Sequence, residues 1–351
     1  MGTAVLRALH DEAAVTSVLA LSRRGPGPAG SHDPAVEWRQ ADVTGSDLEG
    51  LLRGADAVIH LAWLIQPSRR RALMDRVNVE GTRRLLDAVA AAGCPRVVVA
   101  SSVGAYSPGP KDRRVDESWP AGGIPTSTYS VEKAEVESLL DRFEEEHPDT
   151  AVARLRPGLI FQRQAAAEIA RLFLGPLVPT PLLRPGLLRI LPAVPGLRTQ
   201  VVHSDDVADA YRRAAVSGAR GAFNIAAEPV LDAHVVARAW GARTVPVPAR
   251  LVRGGADLAW RAHLVPADAG WVDLGLQTPL LDTGRARREL GWEPAHGAVA
   301  VLEELLSGIV AGDSAPTPPL AGGHRAGVTT DAQPGAQETG RRARLRPRTS
   351  H

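Results

Sequence analysis

The chain has 351 residues, 44% hydrophobic and 23% charged, the composition of an ordinary soluble globular protein with room for one large α/β unit or two smaller domains. Its 34 glycines and 28 prolines follow no three-residue period, which excludes a collagen-like chain; its single cysteine, Cys94, excludes a disulfide framework or a cysteine-built metal site and points to an intracellular compartment. The formal charge of +2 sits in the tail, where six Arg against Asp313, Asp331 and Glu338 give the segment from Asp313 onward +3 and leave −1 for the rest, so the folded part is not a basic nucleic-acid binder.

In chain order, a helix is expected near Gly2–Leu9, a strand at Val15–Leu21, a strand at Ala57–Leu61, a helix at Met74–Ala92 and a strand at Arg96–Ser101. A helix at Tyr129–Glu146 follows, with Val131, Ala134, Val136, Leu139, Leu140 and Phe143 on its apolar side and Glu132, Glu135, Glu137 and Asp141 mostly on the other. Next comes a strand at Ala151–Leu155. Short strands alternating with longer helices specify a parallel sheet covered by helices.

From Leu172 to Leu197 the chain is apolar, but six prolines, Arg184 and Arg189 interrupt it, so it reads as an irregular lobe and not as a membrane span. A helix at Asp205–Ala215, opened by acidic residues, and a strand at Phe223–Ala226 come next. Helices are expected near His234–Trp240, Leu251–His263, Thr283–Leu290 and Ala298–Val310. After Gly312 the Pro, Gly, Thr and Ala content with no apolar period marks a disordered tail, residues 313–351. The N-terminus carries no secretory pattern, which makes a cytoplasmic protein the expectation.

The sharpest chemical signal is Tyr129-Ser130-Val131-Glu132-Lys133 with Ser101-Ser102 at the end of a strand. Tyr129 and Lys133 are one helical turn apart and share a face. A phenol becomes a useful acid/base when a nearby cation favours its ionised form, and a compact ammonium supplies that charge. With three tyrosines and two lysines in the chain, this spacing arises by chance only about 0.02 times in a shuffled sequence. A lysine here, in a chain whose basic residues are overwhelmingly Arg, suits a group that tunes a phenol and donates to ribose hydroxyls.

With these residues in register, the sequence resembles the extended short-chain dehydrogenase/reductases, the NAD-dependent epimerase/dehydratase family, over roughly Gly2–Val310. The landmarks are Asp42-Val43, Asp56-Ala57-Val58-Ile59-His60-Leu61-Ala62, Asn78-Val79-Glu80-Gly81-Thr82, Ser101-Ser102, Tyr129 with Lys133, Arg156-Pro157-Gly158, His203-Ser204-Asp205-Asp206-Val207-Ala208 and Leu290-Gly291-Trp292-Glu293-Pro294. The resemblance implies a Rossmann-type doubly wound parallel sheet, residues 1–163 with 199–226 returning to it, and a smaller substrate-binding lobe, mainly 164–312. It implies Tyr129 as acid/base, Lys133 lowering its pKa and holding the nicotinamide ribose, Ser102 (with Ser101 as the close alternative) orienting the substrate oxygen, and Asn78 supporting the helix and a proton-relay water. Cofactor contacts are implied at Gly2, Ser101, Tyr129, Lys133, Asp42 and Val43 for the adenine, Leu61 and Ala62 for the middle, and Pro157 at the nicotinamide end. His60 reads equally as cofactor contact or as hydrogen-bonded core.

Ser22-Arg23-Arg24 close the second strand of that fold where an acidic residue would favour NAD, so NADP is favoured and NAD stays open. Only Gly2 matches the glycine-rich phosphate turn, and the strand that should precede it is missing from the sequence. Either the start lies about 10–15 residues upstream, enough for a strand and its turn, which is the expectation, or dinucleotide binding has been lost. Sugar-nucleotide dehydratases of the family carry Asp-Glu just after the active serine or threonine where this chain has Val103-Gly104, which argues against dehydration. Arg198 lies near, but offset from, the arginine with which the epimerases hold nucleotide phosphates. The expected activity is NAD(P)-dependent oxidoreduction or epimerisation at a secondary alcohol or ketone of a small molecule. A non-catalytic dinucleotide-sensing or scaffolding role is the alternative. A homodimer through the Tyr129–Glu146 helix is implied by analogy; nucleic acid, membrane and metal are not expected partners.

Overall fold

The computed structural model describes residues 1–24, 35–65, 70–174, 187 and 189–314. The tail from 315 onward and most of the proline-rich apolar segment lie outside the described residues. Within them the first half alternates strand and helix: α1 (Gly2–His10), β1 (Val18–Ser22), β2 (Val36–Gln40), α2 (Leu48–Leu52), β3 (Val58–His60), α3 (Arg71–Asp75), α4 (Gly81–Ala91), β4 (Arg96–Ala100), β5 (Arg114–Val115), α5 (Thr128–Glu146) and β6 (Ala151–Pro157). The second half adds β7 (Leu159–Phe161), α6 (Ala166–Ile169), β8 (Ile190–Ala193), β9 (Val201–His203), α7 (Ser204–Ser217), β10 (Gly221–Ile225), α8 (Ala233–Trp240), β11 (Arg243–Pro246), α9 (Ala249–Arg261), α10 (Gly270–Gln277), β12 (Leu280–Leu281), α11 (Gly284–Leu290) and α12 (Ala298–Ala311).

The central sheet is parallel, in the order β10-β6-β4-β3. Helices cover both faces because the strand side chains alternate. Val97 and Val99 of β4 pack with Leu85, Leu86 and Val89 of α4 and Val136, Leu140 and Phe143 of α5. Val98, between them, joins Ala4 and Val5 of α1, Val207 and Tyr211 of α7 and Leu290 of α11 on the other face. β6 is buried along its whole length, as a strand between two helical layers must be.

β1 and β2 form a separate parallel pair. Among the described residues the second edge of β1 has no ladder partner, and neither has that of β3. The sheet is therefore divided, two strands and four, and β1 stays only partly buried. β2 was not foreseen from sequence: Glu37 and Arg39 alternate with Val36 and Trp38 over five residues, too short a run to stand out.

Two sequence landmarks prove to be one structural lock. His203 caps α7 by accepting from the Asp205 amide, and Asp206 accepts from the amides of Ala295 and His296 at 3.1 Å. The fully buried Trp292 indole donates to Asp206 O at 2.8 Å. This lock ties the turn after α11 to the start of α7 and closes one side of the molecule.

Candidate active site

Three segments meet at Tyr129. The first is the end of β4, where the extended Ser102 turns the chain into a short 3-10 turn, Val103–Ala105, its hydroxyl accepting from the Gly104 amide at 3.0 Å. Gly104 has to be glycine, since a Cβ there would stand 2.8 Å from the Tyr129 ring. The absence of an acidic residue at this position therefore has a steric reason as well as a chemical one. The second is the first turn of α5, anchored by Ser130, whose hydroxyl donates to Gly104 O at 2.5 Å and accepts from the Ile124 amide at 2.7 Å. The third is the loop after β3, which brings Trp63.

Ser102, not Ser101, stands beside Tyr129, both side chains flanking Gly104, and it favours the ionised phenol. Ser101 instead donates to Glu137 Oε1 at 2.5 Å, part of a buried cluster in which Arg156 bonds both oxygens of Glu137, at 2.8 and 2.7 Å, and Arg154 bonds it at 3.1 Å. Burial raises the Glu137 carboxyl but the two guanidiniums outweigh it, bringing its pKa down to about 2. The polar and apolar sides of α5 are not simply outside and inside: Glu132 and Glu137 are buried, where these carboxylates have dedicated partners, and Val131 is exposed. Arg154 and Arg156, two charges in a fully buried strand, were the available signal.

Asn78 sits in a π turn, Arg76–Glu80, between α3 and α4. Its side chain accepts from the Leu64 amide at 2.7 Å and donates to Leu64 O at 3.2 Å and Glu132 Oε2 at 2.7 Å. Both amide hydrogens are thereby committed, and Asn78 positions the loop that carries Trp63 and ties it to α5. His60 resolves as core: it is buried, bonded to Thr82 Oγ1 at 3.0 Å, and burial with the nearby Lys133 charge takes its pKa down to about 4.

Lys133 is buried against Trp63. Its Nζ lies 3.2 Å from the Trp63 ring centroid and 6.0 Å from that of Tyr129, and donates to Ala100 O at 2.7 Å. Burial pushes the Tyr129 phenol up to about 12, against the pull of Ser102 and with the Glu132 charge adding to the rise. Burial in turn pulls the Lys133 ammonium down to about 7. Between about pH 7 and the ordinary value of 10.5, the unfolded chain keeps a proton on Lys133 that the folded chain has released. Lys133 therefore makes stability rise with pH across that window. Thermal unfolding midpoints measured from pH 7 to 9 should climb less steeply in Lys133→Met than in the wild type, with Lys111, pulled down to about 8 by burial, sustaining the remainder.

The residues present fit a dinucleotide at its two ends. Lys133 spends one of its three donors on Ala100 O, which leaves N–H groups for ribose hydroxyls. At the other end Arg23 and Arg24 are exposed after β1, and Ala41 N donates to Ser22 O at 3.1 Å, setting the Asp42-Val43 turn beside them. Burial works against the Asp42 carboxylate, but two bonds from Thr44 and the Arg23 charge hold its pKa below the usual range. Val43 packs its Cγ2 where a Cβ at position 81 would stand, so Gly81 is required. Between the two ends Leu61 is partly buried, Ala62 is exposed and Pro157 closes the buried β6. Gly2 opens α1, and no atom lies within 4 Å of a Cβ built there. Among the described residues no cluster of His, Cys, Asp and Glu could hold a metal ion, and no helix is long and apolar enough to cross a membrane.

Comparison with known proteins accords with this geometry. Residues 1–226 match the family model of the NAD dependent epimerase/dehydratase family. An uncharacterized protein of Mycobacterium tuberculosis is 27% identical over 279 residues, 78% of this chain and 71% of its own length. The sterol-4-alpha-carboxylate 3-dehydrogenase, decarboxylating, of Saccharomyces cerevisiae is 29% identical over 129 residues, 36% of this chain and 37% of its own. Among solved structures, MoeE5 in complex with UDP-glucuronic acid and NAD superposes with a TM-score of 0.64 at 23% identity, covering 89% of this chain and 96% of that one. UDP-glucose 4-epimerase of Thermotoga maritima, with UDP-glucose, gives 0.64 at 19% identity with the same coverage. At these identities the structural likeness is one of fold. The chain belongs to the NAD dependent epimerase/dehydratase family and is an enzyme of that oxidoreductase class.

Proposed function

We propose that this chain oxidises or reduces a secondary alcohol or ketone of a small molecule with a nicotinamide dinucleotide, Tyr129 exchanging the proton of the substrate oxygen. The observation that supports the reading is Tyr129 set beside Ser102 across Gly104, one helical turn from a buried lysine with donors to spare. The dinucleotide supplies the hydride chemistry when bound. Ser102 orients the substrate oxygen beside the phenol, and Lys133 holds the ribose and brings the cation that a phenol needs to work near neutral pH. Epimerisation by transient oxidation uses the same groups. α10 of the C-terminal lobe, which reaches Tyr129 through Trp271, forms the substrate side. The test is dinucleotide absorbance during turnover of candidate alcohols by the wild type and by Tyr129→Phe.

We favour NADP as the cofactor, because Arg23 and Arg24 are exposed after β1, where the resemblance places the adenine ribose. The double variant Arg23→Ala/Arg24→Ala should weaken NADPH binding about ten-fold or more while leaving NADH unchanged, read by titration of reduced-nicotinamide fluorescence. A second reading, a dinucleotide-binding protein without turnover, draws on Lys133 lying on Trp63 and not on Tyr129. Dinucleotide binding with no Tyr129-dependent turnover would establish it.

A further inference from the structure

Two indoles border the Tyr129 phenol. Trp271 stacks on it, with ring centroids 5.3 Å apart and planes at 29°, and Trp63 meets it edge-on at 6.0 Å and 81°. Neither contact is incidental. Gly270, at the start of α10, sits so close to the chain entering α5 that a Cβ would stand 2.4 Å from Thr126 O, which presses Trp271 onto the tyrosine. The far end of α10 is held by Lys111, whose Nζ donates to Gly275 O and Arg198 O, both at 2.8 Å. Trp63 is fixed through Leu64 by Asn78. Its indole N–H is buried with no hydrogen-bond partner, and Ile65, two residues on, is 48% exposed.

A substrate carbon whose hydroxyl reaches Tyr129 must therefore rest its neighbouring atoms against indole. Aromatic walls reward flat apolar surface. The diphosphate of a nucleotide sugar would instead ask for cations, and those beside α10 have protein partners: Lys111 as described, Arg253 on Asp273 of α10, and Arg198 in a bond to Lys111 O, although the Arg198 Nε is left unpaired among the described residues. Resting on the oxidoreductase reading above, we infer that Trp271 and Trp63 determine specificity, and that the substrate carries its secondary alcohol or ketone on an apolar ring whose face packs on indole.

The probe is 1-tetralone, a bicyclic apolar ketone, with UDP-glucose as the rival ligand. Binding of each to the full chain is measured by calorimetry and ligand-observed NMR, which need no turnover. The wild type should bind 1-tetralone, Trp271→Ala should weaken that binding about ten-fold, and Trp271→Phe, which keeps an aromatic face, should restore most of it. UDP-glucose should not displace it. Trp63→Phe, which keeps the face and loses the N–H, serves as the second variant should Trp271→Ala fail to fold, and it should leave 1-tetralone bound. No binding by the wild type, equal binding by Trp271→Ala with an unchanged circular dichroism spectrum, loss of binding in Trp63→Phe, or tighter binding of UDP-glucose would each overturn the inference. Failure of the oxidoreductase reading shows separately, as turnover indifferent to Tyr129→Phe.

Discussion

Tyr129→Phe should lower turnover by about 10²–10⁴-fold, the usual contribution of a positioned acid/base, with dinucleotide binding unchanged. The variant removes one oxygen and keeps the ring. Phenylalanine can still stack on Trp271, meet Trp63 edge-on and fill the space that Gly104 leaves open. The packing that positions α10 and the 3-10 turn thus survives, and the loss falls on proton transfer. Single-turnover rates with wild type and variant, beside a fluorescence titration of the dinucleotide, separate the two effects. A variant that retains wild-type turnover removes Tyr129 from the chemistry.

The second large effect concerns stability. Glu137→Gln should cost about 3–5 kcal/mol, the range for removing one partner of a buried ion cluster. The Glu137 side chain is 2% exposed, and its guanidinium partners on Arg154 and Arg156 are 4% and 6% exposed. Arg154 keeps Asp141 at 2.6 Å and also Glu144, whereas among the ion pairs of Arg156 Glu137 stands alone. The glutamine therefore strands the Arg156 charge, beside the Tyr106 ring 4.7 Å away. Against a typical total of about 5–15 kcal/mol, this is a sizeable share. Its pH dependence has a definite sign. With the carboxyl pKa at about 2 in the fold and 4.5 as the ordinary value, the contribution is full above 4.5 and fades as pH falls towards 2. Urea midpoints of wild type and variant should stand apart at pH 7 and converge in acid. Because Ser101 is bonded to the same carboxylate, the variant also loosens the end of β4 from which Ser102 reaches Tyr129.

The site was legible in sequence where its chemistry is local. Tyr129 and Lys133 share a helix face through a four-residue spacing, and Ser102 ends a strand recognisable from Arg96-Val97-Val98-Val99. Helix and strand periodicity likewise exposed the α/β alternation, so β4, β6, α5, α7 and α12 lie close to their expected positions. What sequence misplaced depends on partners distant in the chain. Glu137 reads as a surface charge until Arg154 and Arg156 of a neighbouring strand are set against it. The partners of Asn78, Leu64 and Glu132, lie in separate segments and cannot be read from its own sequence context. Trp63 and Trp271 are 208 positions apart in the numbering and nothing in either segment announces the other, yet both border one phenol.

Sequence by itself determined the fold class and the family and singled out Tyr129 as the proposed acid/base group, because these rest on periodicities and spacings within a helix or a strand. Tertiary structure alone decided which serine meets Tyr129, that Lys133 lies on an indole, and that two tryptophans wall the site. Each of those depends on packing between segments far apart in the chain, where burial strips water from a charge and makes its nearest partner decisive.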